Sequence, residues 1–319
     1  MNHNSHEILT ELMEQPQRLK DLITFYASGS GSELLSRIPC GGRVLFTGAG
    51  SEYYLSEIAA ELCCEKGVDA RAVEATNLVQ WPDVVKDQYS LVFILSSLGS
   101  EEEIARLQSH LDPRKVVIVT NKPESILAEW AIINLPIFTG LENWQGSKSF
   151  LNAGILLWLV SRRITQAWDG SENDQLKRLR QRVQLLLEGR AAIDEQWRNC
   201  LADCDHLFFD GCKINRFIAA QSSLTFLRWR GIQVSAFPRD TLAGSTKPGW
   251  GIIEFRESPL KNNPAAEIPG VFDKTIFLVD GFPQPATAPL RPGTGLAAEM
   301  GMWLNWVSIQ LLAIHPELH

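Results

Sequence analysis

Residues 43–52, RVLFTGAGSE, constrain the fold of this chain more than any other stretch. Val44, Leu45, Phe46 and Thr47 form a short apolar run suited to a buried strand. Gly48 and Gly50 break it and Ser51 stands in a helix-start position. Leu55, Ile58, Ala59 and Leu62 then recur at helical spacing. Strand, glycine turn, hydroxyl and helix in that order direct backbone N–H groups and a helix N-terminus at an anion. The rest of the chain reads as support for that turn, or as a second copy of it.

On the N-terminal side, residues 3–28 have amphipathic helical spacing interrupted near Pro16, and a short helix covers 33–37. Beyond the first helix come a strand at 71–75 and a helical or turn segment at 76–81. The fully apolar run LVFIL at 91–95 predicts a central parallel strand. It runs into Ser96, Ser97, Leu98, Gly99 and Ser100, and a helix is expected over 101–111. Further strands are expected at 115–120 and 131–135. Strands alternating with helices imply right-handed crossovers and an open parallel sheet covered on both faces. Ligands on such sheets bind beyond the carboxyl ends of the strands, where the turns at 48–52 and 96–101 lie.

A polar loop, GLENWQGSKSF at 140–150, opens an apolar helix over 151–164, with Ser147 and Lys148 at its start. A charge-rich helix or helix pair covers 172–203, and the boundary is expected near Gly170. The pattern then restarts, with strands at 206–210, 232–237, 251–255 and 275–279, a Gly211 turn, and helices at 214–230 and 296–314. Strand, glycine and helix at both 43–62 and 206–230 indicate a tandem repeat of one α/β unit. Segments 256–274 and 282–295, rich in Pro, Asn and Gly, read as loops that shorten the second copy. The expected organisation is an N-terminal helical segment (1–40), a first α/β domain (41–169), a linking helix (170–204) and a second α/β domain (205–319).

Composition narrows the partners. The net charge of −7, with a pI near 5.5 and no basic stripe, argues against nucleic acid. The N-terminus lacks a secretory pattern, and the longest apolar stretches fall short of a membrane span. Neither membrane nor nucleic acid is therefore an expected partner. The six cysteines form no paired CxxC framework, so reduced thiols and a cytoplasmic location are expected, with no metal and no cofactor. Cys200, Cys204 and His206 admit a metal reading, but ordinary helix positions are the favoured one.

A family resemblance emerges from the order of motifs. TGAGSEYYLSEIAAELCCEKG, EATNLVQWP, LVFILSSLGSEEE, VVIVTNKPES and GSKSF ahead of an apolar helix together resemble the sugar isomerase (SIS) family in tandem. The resemblance is to tagatose-6-phosphate ketose/aldose isomerase-like proteins and to the isomerase domain of glucosamine-6-phosphate synthase. It implies two tandem SIS units, each an open, mostly parallel sheet flanked by helices in a flavodoxin-like three-layer arrangement, the second shortened. It implies a small-molecule sugar phosphate or related carbohydrate as ligand, a site between the units and at a dimer interface, and a homodimer or dimer of dimers. The implied ligand-binding set is Gly48, Gly50, Ser51, Ser96, Ser97, Gly99, Ser100, Ser147 and Lys148. Chemistry in the family moves a proton between C1 and C2 with a carboxylate base and opens the ring with a His, which fits the need for a positioned base next to a carbonyl.

The chain departs from that pattern at several positions. Glu52 replaces a hydroxyl in the first loop, and Leu98 and Glu101 replace hydroxyls in the second. A carboxylate about 4 Å from a phosphate costs roughly 4 kcal/mol per charge pair at an effective dielectric of about 20. Gln221, Thr225 and Arg228 stand where the family has Glu, Lys and Glu. Ser245, Thr246, Lys247 and Pro248 replace the His segment, and the family's C-terminal lysine tail has no counterpart.

The candidates for catalysis are Glu52, Gln221 and Arg228, of which Gln221 cannot act as a general base. Glu52 reads either as a base or as a carboxylate stabilised by the helix dipole. Arg228 and Arg230 read as anion ligands or as a solvated face, and Asp240 and Lys247 are undetermined. His315 reads chiefly as a helix cap, and the ten tryptophans as core or interface residues with sugar stacking as the lesser reading. Three functions remain open: an aldose/ketose isomerase or amino-sugar-phosphate isomerase/deaminase, a non-catalytic binder of a sugar phosphate or sugar acid, and a dimerisation module.

Overall fold

The computed structural model describes residues 3–27, 29–80, 88–99, 102–201, 204, 206–236, 249–256, 274–285 and 296–315. The chain forms two compact units, one of Gln17–Lys177 and one of Met1–Pro16 with Arg178–His319. The N-terminal periodicity resolves into α1 (His3–Met13) and α2 (Gln15–Ala27). Pro16 falls in the first turn of α2, where a missing N–H removes no helical bond.

The first unit continues with α3 (Ser30–Ser36), β1 (Val44–Gly48), α4 (Ser51–Cys64), β2 (Ala70–Glu74), α5 (Ala75–Gln80), β3 (Leu91–Leu95) and α6 (Glu102–Leu107). It is completed by β4 (Val116–Thr120), α7 (Ile126–Trp130), β5 (Ile133–Pro136) and α8 (Ser149–Ile164). The five strands form one wholly parallel sheet in the order β2-β1-β3-β4-β5. Strands β1, β3 and β4 are buried throughout, as continuous apolar runs covered on both faces must be. Leu45, Val92, Ile94, Val116 and Ile118 meet Leu78, Ile104, Leu107 and Leu127 from the helices on one face. On the strands Phe46 and Phe93 stack at 4.8 Å, and α4 packs against α8. α7 was not expected from the sequence. Its N-cap Ser125 accepts the N–H of Ala128, a signal hidden in the polar run after Pro123.

Gly170 sits in an ordered turn. The buried Glu172 carboxylate accepts N–H groups from Asp169 (3.1 Å) and Gly170 (2.9 Å) and pairs with Arg162 Nε at 2.6 Å. Beyond it run α9 (Glu172–Glu188) and α10 (Arg190–Leu201), a helix pair.

The second unit then lays down β6 (His206–Gly211), α11 (Asn215–Arg230), β7 (Ser235–Ala236), β8 (Trp250–Arg256), β9 (Lys274–Val279), β10 (Phe282–Pro285) and α12 (Ala298–Ala313). Its sheet order, β10-β9-β8-β6-β7, repeats the first sheet strand for strand, with only the last strand antiparallel. Each residue from Met300 to Ile314 is buried, the signature of a helix enclosed on all sides.

One expectation is corrected here. Phe282 does not begin a loop; it begins an antiparallel edge strand paired with β9. Asp280 and Gly281, both at positive φ, close a two-residue hairpin between Val279 and Phe282. In the alternating antiparallel ladder, Pro283 and Pro285 then fall where the N–H would face the free edge, so neither proline removes a bond. The strand expected at 232–237 is reduced to Ser235–Ala236 among the described residues, because Gly231 ends α11 in the left-handed region and the chain needs three residues to turn back.

The repeat is physical at its turns. A Cβ on Gly48 would lie 2.6 Å from Glu52 Cβ and 2.8 Å from its carbonyl carbon. A Cβ on Gly211 would lie 2.6 Å from the carbonyl carbon and oxygen of Asn215. Each glycine faces the residue four positions on, at the start of the following helix, so each unit closes its first helix onto its first strand through the same backbone contact. Gly48→Ala and Gly211→Ala are each expected to cost about 1–3 kcal/mol through overpacking against a backbone that cannot retreat. Urea midpoints shifted in both variants bear this out; unchanged midpoints contradict it.

Candidate functional site

In a sheet of order 2-1-3-4-5 the crevice opens where the order reverses, beyond the carboxyl ends of β1 and β3. Gly48 ends β1, Gly50 takes φ 59°, and Ser51 and Glu52 open α4. Both side chains are buried, at 4% and 6% exposure. Glu52 thus lies in the first turn of α4, inside the favourable end of the helix dipole.

The second turn is shaped by its own hydroxyl. Ser96 is fully buried, and its Oγ accepts the Gly99 N–H at 3.0 Å. Gly99 takes φ 67°, and a Cβ there would meet Ser125 Oγ at 2.8 Å. The Ser97 carbonyl accepts the Asn121 N–H at 3.3 Å, tying this turn to the end of β4. Ser100 and Glu101 lie outside the described residues, as do Asp240 and the 245–248 segment.

At the third loop the main actor, Glu142, was not among the residues nominated from sequence. The Glu142 carboxylate accepts the Ser147 hydroxyl at 3.0 Å, the Lys148 N–H, and the Ser149 N–H at 2.8 Å. A carboxylate of the chain itself therefore occupies the anion position at the N-terminus of α8. Ser147 and Lys148 are buried at 0% and 1% exposure. The Lys148 ammonium donates to the Leu141 carbonyl at 2.6 Å. Asn121 completes the frame: its Nδ2 donates to the Gly140 carbonyl at 2.8 Å and its Oδ1 accepts the Thr139 N–H at 2.9 Å.

The second and third of these loops, with the turn after β4, bound a cleft of about 570 Å³ at the ends of β3, β4 and β5; no residue of the 48–52 turn is on its wall. Among the described residues, Ser97 is the one member of the sequence-nominated ligand set on its wall. Also on it are Asn121, Lys122, the Glu142 carboxylate, Asn143 and Gln145, with Leu98 and Leu141; Thr139 is fully buried behind them, its hydroxyl donating to the Gly140 carbonyl at 3.3 Å. Lys122 is exposed, and among the described residues it forms no ion pair. Among the described residues the wall therefore offers one cation, a carboxylate (Glu142) already bonded at the start of α8, hydroxyl and amide groups, and an apolar surface. Asn121 and Lys122 directly follow the strand at 116–120, so the carboxyl-end rule applied to every strand, rather than to the glycine turns alone, would have found them.

The catalytic candidates of the second unit are placed differently. α11 starts at Asn215, at the carboxyl end of β6; Gln221 lies roughly 9 Å along it and Arg228 roughly 20 Å, from the rise per residue. Gln221 is buried, and its Nε2 donates to Thr225 Oγ1 at 3.3 Å. Arg228 is exposed. Arg230 is half-buried, and its guanidinium donates to the His315 carbonyl at 3.0 Å, just past the end of α12. Asp194 is half-buried, and burial pushes its carboxyl above the usual range against the opposing pull of His315, Arg190 and Arg198. Cys204 lies against Gly251, and among the described residues no group of three His, Cys, Asp or Glu side chains is placed to hold a metal ion. Among the same residues no helix is long and apolar enough to cross a membrane.

No family model matches the sequence, and no curated protein matches it at a significant level. Solved structures do share its architecture. The C-terminal domain of glucosamine-fructose-6-phosphate aminotransferase from Francisella tularensis superposes with TM-score 0.77 at 18% identity, covering 99% of this chain and 95% of that one. Glucosamine-6-phosphate deaminase from Thermotoga maritima gives TM-score 0.69 at 18% identity over 96% and 92%. Tagatose-6-phosphate ketose/aldose isomerase from Escherichia coli gives 0.64 at 14% identity over 100% and 95%. The chain has the tandem sugar-isomerase fold.

Replacing Glu142 by Ala leaves two N–H groups and a hydroxyl without their acceptor. The expected cost is about 1–3 kcal/mol, with Glu142→Gln, which keeps an acceptor oxygen, costing less. Thermal unfolding of the two variants gives the order; equal midpoints for both variants and the parent contradict the assignment.

Proposed function

We propose that this chain binds a phosphorylated or acidic carbohydrate in the cleft at the carboxyl edge of its first sheet, as a protein of the sugar phosphate isomerase or deaminase class. The observation that carries the reading is the cleft itself, which is lined by the exposed Lys122 with Ser97, Asn143 and Gln145 at the ends of β3 to β5, while the Glu142 carboxylate on the same wall is held at the start of α8. An exposed cation recognises an acidic group, and hydroxyl and amide side chains recognise sugar hydroxyls. The architecture shared with structures of sugar phosphate enzymes supports the same ligand class by analogy. A homodimer or dimer of dimers goes with this reading.

Glu52 is the residue proposed for proton transfer: it is a buried carboxylate at the end of β1 in the first turn of α4, on the same carboxyl edge as the cleft though not on its wall. A second reading, binding without turnover, is favoured by Gln221. Where the family resemblance calls for a carboxylate, this chain has a buried amide bonded to Thr225.

The test combines binding and exchange. Glucosamine 6-phosphate, fructose 6-phosphate and tagatose 6-phosphate are screened for thermal stabilisation, where saturation at about 100 Kd stabilises by about 2.7 kcal/mol. At least one is expected to stabilise the protein, and Lys122→Ala is expected to weaken that effect. Stabilisation by none would end the proposal. Deuterium incorporation at C2, lost in Glu52→Gln, assigns turnover; binding without incorporation assigns the second reading.

A further inference from the structure

Two leucines stand on the wall of the cleft with most of their surface in water, Leu98 at 57% and Leu141 at 79% exposure. Exposed leucines on a loose loop tip need no explanation, but these are held on fixed backbone. Leu141 is flanked by locked groups: Asn121 holds the Gly140 carbonyl, the buried Lys148 ammonium holds the Leu141 carbonyl, and Glu142 is tied to the start of α8. Leu98 sits between Ser97, whose carbonyl is bonded to Asn121, and Gly99, whose N–H is bonded to Ser96 and where an added Cβ would lie 2.8 Å from Ser125 Oγ. A fully buried serine and a buried lysine are thus spent on holding the two backbone segments that display apolar side chains. Such preorganisation lowers the ordering cost of whatever covers the leucines. The cleft volume, about 570 Å³, also lies in the middle of the range that encloses drug-sized ligands, beyond what a six-carbon sugar phosphate fills.

We infer that the ligand carries, beyond its acidic sugar, an apolar substituent larger than acetyl that lies on Leu98 and Leu141. The inference rests on the function proposed above. Leu98 then marks a change of ligand, with an apolar contact where a sugar-phosphate loop of the resembling family would present a hydroxyl. Lys122 and the amide side chains take the acidic sugar, and the two leucines take the substituent.

The probes are glucosamine 6-phosphate and its N-acetyl, N-butanoyl and N-hexanoyl derivatives, titrated into the full chain by calorimetry. Affinity is expected to rise by up to about fourfold per added methylene, and by at least about tenfold from acetyl to hexanoyl. Leu98→Ser and Leu141→Ser, both at exposed positions, are expected to flatten that rise. Binding of the unsubstituted sugar phosphate with no rise along the series overturns the inference and leaves the proposed function standing. A rise that both variants retain also overturns it, because the substituent then lies elsewhere. No binding by any probe overturns the inference, and it removes the functional reading too only where fructose 6-phosphate and tagatose 6-phosphate also fail to stabilise the protein. Light scattering adds a separate readout. A fall in assembly mass in the leucine variants, with a flat series, assigns the two side chains to a second copy of the chain and overturns the ligand assignment.

Discussion

The carboxylate of Glu142 governs the carboxyl edge of the first sheet. An α-helix starts with N–H groups that lack partners and with a partial positive charge. In α8 that demand is met from within the chain, by a side chain seven residues before the helix start. The consequence spreads outward. Ser147 and Lys148 are drawn into the interior, the Lys148 ammonium is turned back onto the Leu141 carbonyl, and the loop before α8 becomes a rigid wall. The anion position at that helix is filled, and the proposed function therefore assigns an external anion to Lys122, on the cleft wall just after β4.

The same logic accounts for what the sequence disclosed. Strands such as LVFIL and VVIVT are legible because a parallel sheet covered on both faces demands unbroken apolar runs. The glycine turns are legible because only glycine tolerates a helix start at 2.6 Å from where a Cβ would stand. The tandem repeat was legible from two such turns. That both sheets share one strand order became visible only in the structure, because β10 hides behind two prolines that read as loop residues.

The site was less legible, for a physical reason. Sequence nominates residues by type and position near a turn, but hydrogen bonding decides whether a polar group faces outward. Ser96, Ser147 and Lys148 carry the right chemistry for a ligand, and all three side chains serve the frame. Asn121 and Lys122 carry no motif of their own, yet they reach the cleft because they follow the last residues of β4. Arg230 shows the same effect in the second unit, where a nominally free cation caps the end of α12. The residues that depart from the resemblance, Glu52, Leu98 and Gln221, remain the ones that most affect any account of ligand and turnover.

The most direct test is a crystal structure of the chain with a bound sugar phosphate. Ligand density is expected in the cleft at the ends of β3 to β5, with the acidic group within hydrogen-bonding reach of the Lys122 ammonium and Ser97 against the sugar. Density with the acidic group at the start of α8 in place of the Glu142 carboxylate, or with the ligand outside this cleft altogether, would contradict this placement.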